Sequence, residues 1–493
     1  MSVMIINKSE SVTQKSVSAV KWSTLMELVS RVGSPIVFLV LARLLTPEDF
    51  GVVSTAMIVV SFSQIFWDAG LGKALVQTTE TLEYAANVVF WTNLGLGIVI
   101  CTVLFLAAPW VAAFFNSPSL TPVFRVLGLQ LVMASLASVQ SALFVRDLAF
   151  RQLFWIKLAT AFVPGLFSIP LAFFGYGVWA LVAGSLAGSF LNLVLVWARS
   201  MWRPRMQFNW YLAQKLFGFG SWVVLESFGN WFYLWGDNFL VGKIIGVKEL
   251  GIYSIAWSMN SIIFGLLLNP FFSVLYPTFS RLHDDIETLK KTVRKANVMA
   301  LLLGFPLGTA LLLINGQLIS VFFGKSWDSL GFVLGVIGFM HGISLLAVVS
   351  LELCRAMGRP DINSKLLLGV MFCYLPVYLV TAPFGLEMFI LGRLGVEIIW
   401  LPIHVYLCKR MLGISPFYLW YEGKPIIFAT SAMALVIVGC KEVFTLSANA
   451  FSDVLMLISL IIAGGVTYGG TLWLLDQPLV LEMKALFRRV AVI

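Results

Sequence analysis

Residues 41–56 read LARLLTPEDFGVVSTA, and residues 241–256 read VGKIIGVKELGIYSIA. At an offset of 200 positions, Gly51 falls on Gly251, Ser54 on Ser254 and Ala56 on Ala256. Arg43 meets Lys243, Asp49 meets Glu249 and, upstream, Trp22 meets Trp222. One pattern used twice in one chain points to an internal duplication. Each copy is a short polar stretch between apolar runs, so the fold depends on what those runs are.

Composition answers that. Of 493 residues, 59% are hydrophobic and 12% charged, about half the charged share of a soluble domain. Mean hydropathy is +0.93. A soluble fold has no way to hide so much apolar surface beneath a polar shell. A soluble enzyme, a disordered chain and a disulfide scaffold are therefore excluded, and an all-α polytopic membrane protein remains. The 40 Phe and 17 Trp suit a chain facing lipid with aromatic belts at both interfaces. Cys101, Cys354, Cys373, Cys408 and Cys440 are scattered through apolar runs without ligand spacing, so no metal site or disulfide framework is read.

A spanning helix needs about 20 mostly apolar residues. That length predicts fourteen spans: 17–44, 50–67, 85–108, 120–143, 154–174, 177–198, 216–241, 251–279, 296–322, 330–354, 364–383, 386–407, 424–444 and 453–475. The first run is too long for a signal-peptide core and is read as a retained span. The polar stretch 281–295 is read as a loop, and a bend is expected at Pro306. With the N-terminus inside, only Arg43, Lys243, Lys248, Lys325 and Lys441 fall outside, and Arg31, Arg125 and Arg393 fall within spans. The other 25 of the 33 Lys and Arg are in or beside cytoplasmic segments, which orients the chain with both termini cytoplasmic. This asymmetry also accounts for the net charge of +9 without nucleic acid as a partner.

The two copies of the repeat join span 1 to span 2 and span 7 to span 8. Spans 1 and 7 have the same orientation, so the halves are parallel six-helix repeats about an axis along the membrane normal. The expected organisation is 1–200 (spans 1–6), 201–412 (spans 7–12) and 413–493 (spans 13 and 14 with a tail). The loops are too short for a nucleotide-binding or catalytic domain, and Gly324-Lys325-Ser326 lacks the first glycine of a phosphate-binding loop. No cofactor is expected. Gly184/Gly188, Gly304/Gly308, Gly331/Gly335 and Gly338/Gly342 are spacings that let helices approach closely.

Charges within spans carry the functional signal. Each costs at least about 2.5 kcal/mol to insert unless it faces a partner or a wet cavity. Glu27 and Arg31 share one helix face, four residues apart. Glu226, Asn230 and Asp237 form a stripe on span 7, and Arg393, Glu397 and His404 form one on span 12. All eight are candidates to line a hydrated substrate cavity. His341 is read as a packing histidine.

The stretch LARLLTPEDFGVVSTAMIVVSFSQIFWDAGLGKALVQ (41–77), with GVKELGIYSIAW (246–257) and VLYPTFSRLHDD (274–285), resembles polysaccharide flippases. These belong to the multidrug/oligosaccharidyl-lipid/polysaccharide (MOP) exporter superfamily, and the similarity is to its Wzx-type, colanic acid exporter-like group. The resemblance implies two lobes around a cavity that opens alternately to each side. It implies an undecaprenyl-pyrophosphate-linked oligosaccharide as cargo, with the tail remaining among membrane lipid. It places the protein in the bacterial inner membrane, with polysaccharide polymerase and chain-length machinery as partners. Arg31 and Arg393 are the intramembrane cations available to a pyrophosphate. A drug exporter of the same superfamily, and a membrane polysaccharide polymerase or glycosyltransferase, are the competing readings.

Overall fold

The computed structural model describes residues 37–68, 71–77, 81–444 and 450–481, and among them no strand occurs. The chain forms two compact units, divided between Ser254 and Ile255. The first unit contains α1 (37–44), α2 (Pro47–Asp68), α3 (Leu71–Gln77), α4 (Leu82–Phe114), α5 (Leu120–Leu127), α6 (Leu129–Arg146), α7 (Phe150–Phe173), α8 (Val178–Arg199) and α9 (Trp210–Leu240). A π-turn over Val241–Ile245 leads into α10 (Val247–Phe272), which runs across the division. The second unit continues with α11 (Leu275–Arg281), α12 (Ile286–Phe322), α13 (Asp328–Ala356), α14 (Pro360–Thr381), α15 (Leu386–Leu412), α16 (Tyr418–Phe444) and α17 (Ala450–Leu475).

Twelve helical stretches among the described residues are long and apolar enough to cross a membrane. They correspond to expected spans 2 to 6 and 8 to 14. The first expected span lies largely outside the described residues. The seventh corresponds to α9, a helix of 31 residues that carries Lys215, Glu226 and Asp237 and is not among the twelve.

One expectation changes. Residues 286–295 are not loop but the opening turns of α12, a continuous helix of 37 residues that includes Pro306. At ~1.5 Å per residue it is about 55 Å long, well beyond a hydrocarbon core of about 30 Å. Asp285 is its N-cap: the carboxylate accepts from Thr288 N at 3.1 Å and Thr288 Oγ1 at 2.6 Å. Those hydrogen bonds hold the Asp285 carboxyl below the usual carboxylate range.

The repeated segments touch one another within the first unit. Thr46 and Asp49 open α2 by bonding reciprocally, Thr46 Oγ1 donating at 2.7 Å and Asp49 N donating back at 3.3 Å, with Pro47 in the first turn. In the second copy Gly246 takes the turn, at φ +143°, which a side chain would resist. The opening turns of α2 and α10 then meet backbone to backbone. A Cβ at Gly51 would lie 1.9 Å from the Val247 carbonyl oxygen, and one at Gly251 would lie 1.9 Å from that of Pro47. Ser54 Oγ donates to Ser254 Oγ at 3.0 Å, and Ser254 donates on to the Gly251 carbonyl. Gly51 meets Val247 as Gly251 meets Pro47, and Ser54 meets its own counterpart Ser254, the reciprocity that a twofold contact requires.

Glycines also set the packing of the second unit. Gly304 and Gly342 oppose each other across α12 and α13, where a Cβ on either would lie 2.3 Å from the other's carbonyl oxygen. Gly308 meets the Gly338 backbone one turn along. In the first unit Gly184 of α8 fits against Ser168 and Pro164 of α7. Lipid tails are as apolar as these helices, so close van der Waals packing rather than burial from water holds them together.

Candidate functional site

The first unit holds a cavity of about 710 Å³ between α2, α6, α8 and α9. Ser61, Gln64 and Trp67 line it from α2, Ser138 and Ser141 from α6, Asn192 from α8, and Ser227, Asn230, Trp231 and Trp235 from α9. Among the described residues, those that line it are all uncharged. Trp231 Nε1–H donates to Ser61 Oγ at 2.9 Å, and the Trp231 ring meets Phe62 edge-on at 4.9 Å. Asn93 donates to Ser138 at 3.1 Å. Trp67 Nε1–H, buried at the cavity wall, has no hydrogen-bond partner among the described residues. Hydroxyls, amides and indole faces can hydrogen-bond a polyhydroxylated molecule and cover its C–H faces at once.

A smaller cavity of about 310 Å³ adjoins it, sharing Ala134 and Asn192. Gln130, Thr160, Ser185 and Ser189 line it together with Lys157. Gln130 Nε2 donates to Ser185 Oγ at 2.6 Å. The polar surface is therefore one groove, in which Lys157 is the single charged lining residue among the described residues.

Of the residues singled out from sequence, Asn230 lines this groove. Glu27 and Arg31 lie outside the described residues, as does the side chain of Glu226. Asp237 shares Asn230's helix two turns on, but it is buried, accepting from Tyr253 Oη at 2.7 Å and from Asn238 N at 2.7 Å.

The second unit places Arg393 among rings. Its guanidinium carbon lies 4.6 Å from the centroid of Trp257, 5.2 Å from Tyr374 and 5.9 Å from Tyr378. The negative faces of the rings stabilise a cation that has left water. Tyr374 donates to Glu397 at 2.6 Å and stacks on Tyr378 at 5.1 Å. Arg393 and Glu397 are thus brought to one aromatic cluster. His404 is not in it: it is buried beside Ser350, Oγ to Nδ1 2.8 Å. His341 packs against Trp257 and Phe264, its Nδ1 3.1 Å from the Ile337 carbonyl.

Sequence reasoning missed Gln64, Asn192, Trp231 and Lys157. Three are neutral and carry no pattern of their own. Lys157 stands near the start of α7, where a lysine reads as a topology marker. Among the described residues, no cluster of His, Cys, Asp and Glu could hold a metal ion.

The family model for polysaccharide biosynthesis proteins matches residues 40–331. The chain is 25% identical over 447 residues to the lipopolysaccharide biosynthesis protein WzxC of Escherichia coli K12, covering 87% of this chain and 89% of that one. It is 28% identical over 307 residues to the succinoglycan biosynthesis transport protein ExoT of Rhizobium meliloti, 62% of each. Among solved structures, the lipid II flippase MurJ in an inward closed conformation matches with a TM-score of 0.72 at 13% identity, covering 94% of this chain and 100% of that one. At that identity the likeness is one of fold.

Proposed function

The chain belongs to the polysaccharide biosynthesis protein family, and from that membership we propose that it turns lipid-linked oligosaccharides over across the bacterial inner membrane. The observation that carries this reading is the groove of the first unit. It sets neutral polar groups and indole rings among helices long enough to span a membrane, and sugar hydroxyls need such a surface. In hydrocarbon each unsatisfied polar group costs several kcal/mol, so a multi-sugar head group cannot cross unaided. A hydrated groove removes that barrier while the polyprenyl tail stays in lipid.

The cargo in this reading is an undecaprenyl-pyrophosphate-linked repeat unit, passed by alternating access. Lys157 at the groove and Arg393 in the second unit are the cations proposed to attract the pyrophosphate, with Arg31 as a further candidate. Fourteen spans, two six-helix lobes and cytoplasmic termini complete the proposal. The reciprocal Gly51–Gly251 and Ser54–Ser254 contacts support the lobes, and the basic asymmetry supports the orientation. Polymerase and chain-length machinery are the proposed downstream partners.

The test is a deletion strain with the glycosyltransferases intact. One surface polysaccharide should disappear, and its lipid-linked repeat unit should accumulate on the cytoplasmic leaflet. Repeat units that reach the outer leaflet at the normal rate but stay unpolymerised would mean a polymerase instead.

A further inference from the structure

A further cleft, of about 430 Å³, lies in the second unit where the opening turns of α12 meet the start of α16, and it shares no lining residue with the groove or the Arg393 cluster. From α12 it is lined by Lys290, Lys291 and Arg294, and from the other side by Phe417, Tyr418 and Tyr421. Lys290 and Arg294 are four residues apart and share a helix face. The Arg294 guanidinium lies 5.3 Å from the centroid of Tyr418, and Lys424 Nζ lies 5.1 Å from that of Tyr421 and 5.6 Å from that of Trp420. Three carboxylates answer these cations: Glu287 pairs with Lys290 at 2.8 Å, Glu422 pairs with Arg294, and Asp285 is near enough to Lys291 for their charges to interact. Four cations against three carboxylates still leave the cluster net positive.

Its surroundings say what kind of anion fits. The polar opening of α12 extends beyond the apolar part of the helix, so the cleft stands at the level where head groups meet hydrocarbon. The rings at the start of α16 have the composition of an interfacial aromatic belt. From the cleft an exposed apolar line runs along α16 through Tyr421 (68% exposed), Phe428 (63%) and Leu435 (75%). Spaced by seven residues, these side chains drift only ~20° per step and stay on one face. A phosphate held between α12 and α16 would therefore have its acyl chains alongside this line. A free anion would have no use for it.

We propose that this cleft binds the phosphate of an anionic membrane lipid and clamps the opening turns of α12 to α16. The site is separate from the cargo groove, and the inference does not depend on what the groove carries.

The purified full-length protein would be titrated in zwitterionic detergent with short-chain phosphatidylglycerol, with phosphatidylcholine, with a polyprenyl monophosphate and with inorganic phosphate, reading the thermal melt. Phosphatidylglycerol should raise the melting temperature saturably, and phosphatidylcholine should not. A polyprenyl phosphate that matches phosphatidylglycerol supports a site for lipid phosphates regardless of tail. One that competes a thousandfold more tightly would overturn the bulk-lipid assignment in favour of the carrier. Inorganic phosphate giving the same shift at the same concentration overturns the lipid component. The variant Lys290→Gln/Lys291→Gln/Arg294→Gln should bind phosphatidylglycerol on the order of a hundredfold more weakly, about fivefold per cation. Should that variant not fold, Lys291→Gln alone changes one exposed side chain and should weaken binding about fivefold. Unchanged affinity in whichever variant folds overturns the proposal.

Discussion

Gly251→Ala adds one methyl group at the point where the two repeats touch. The new carbon would lie 1.9 Å from the Pro47 carbonyl oxygen, whereas a relaxed C–H···O contact needs about 3.3 Å. The clash is with backbone, so no side chain can rotate to relieve it, and the opening turns of α2 and α10 must part by roughly an ångström or more. Overpacking of this kind costs about 1–3 kcal/mol, against a helix-propensity gain from glycine to alanine of about 1 kcal/mol. Lengthening the Ser54–Ser254 hydrogen bond adds about 0.5–1 kcal/mol. The net expectation is a loss of about 0.5–3 kcal/mol. Gly51→Ala meets the equivalent carbonyl at the same 1.9 Å and should cost the same within about 0.5 kcal/mol. The double variant should cost less than the two singles together, because helices already parted admit the second methyl. Gly95→Ala is the control: it lies within α4 with nothing inside 4 Å of its Cβ, and it should stabilise slightly. Melts followed by tryptophan fluorescence in detergent give the order Gly95→Ala at or above wild type, then wild type, then the two repeat variants level with each other. Gly251→Ala melting at or above wild type, or far from Gly51→Ala, would mean that the two repeats do not meet at these glycines.

Other expectations follow from the same geometry. Trp231→Ala, which removes the indole that bonds Ser61 at the cavity wall, should cut export severalfold at near-normal protein level, whereas Trp231→Phe should retain part of it, as quantified surface polysaccharide would show. Arg393→Lys should keep more activity than Arg393→Ala, since an ammonium still interacts with the rings of Trp257, Tyr374 and Tyr378 but cannot stack as a guanidinium does; equal export by the two would remove Arg393 from the account. Asp285→Ala should lower the melting temperature at neutral pH. Because the Asp285 carboxyl titrates below its ordinary ~3.9, its stabilisation is complete above that value and is lost as the pH falls through the lower folded-state value, so the two melting curves should converge in acid. Alkaline phosphatase fused after residue 248 should be active and after residue 283 inactive; the opposite pattern overturns the proposed orientation.

The helices were legible in the sequence because hydropathy reports directly what lipid demands. The polar opening of α12 was not, since hydropathy measures lipid contact rather than helicity. Asp285 caps the helix and Glu287, Lys290 and Arg294 ride on its projecting turns, where water replaces lipid. The repeat gave equivalent positions at Gly51 and Gly251 and at Ser54 and Ser254, but alignment alone does not say that equivalent residues touch. Helix arithmetic put Asp237 with Asn230 and His404 with Arg393, because angle around the axis was all it could supply. Seven residues from Asn230 to Asp237 rise about 10 Å, and eleven from Arg393 to His404 about 16 Å, so the members of each pair face different neighbours at different depths. Intramembrane charges stand out against an apolar background. Ser61, Gln64, Asn192 and Trp231 do not, and the polar groove is built from those.

The proposed turnover requires that a polar head group cross while its lipid tail stays in the bilayer. Its most direct test is reconstitution into sealed proteoliposomes that carry a lipid-linked oligosaccharide with a labelled sugar, followed by the rate at which label initially shielded in the inner leaflet becomes accessible to an impermeant glycosidase. This rate should rise well above that of protein-free vesicles and fall with Trp231→Ala. Label that stays shielded at the protein-free rate, in vesicles whose protein is folded by its melt, would contradict it.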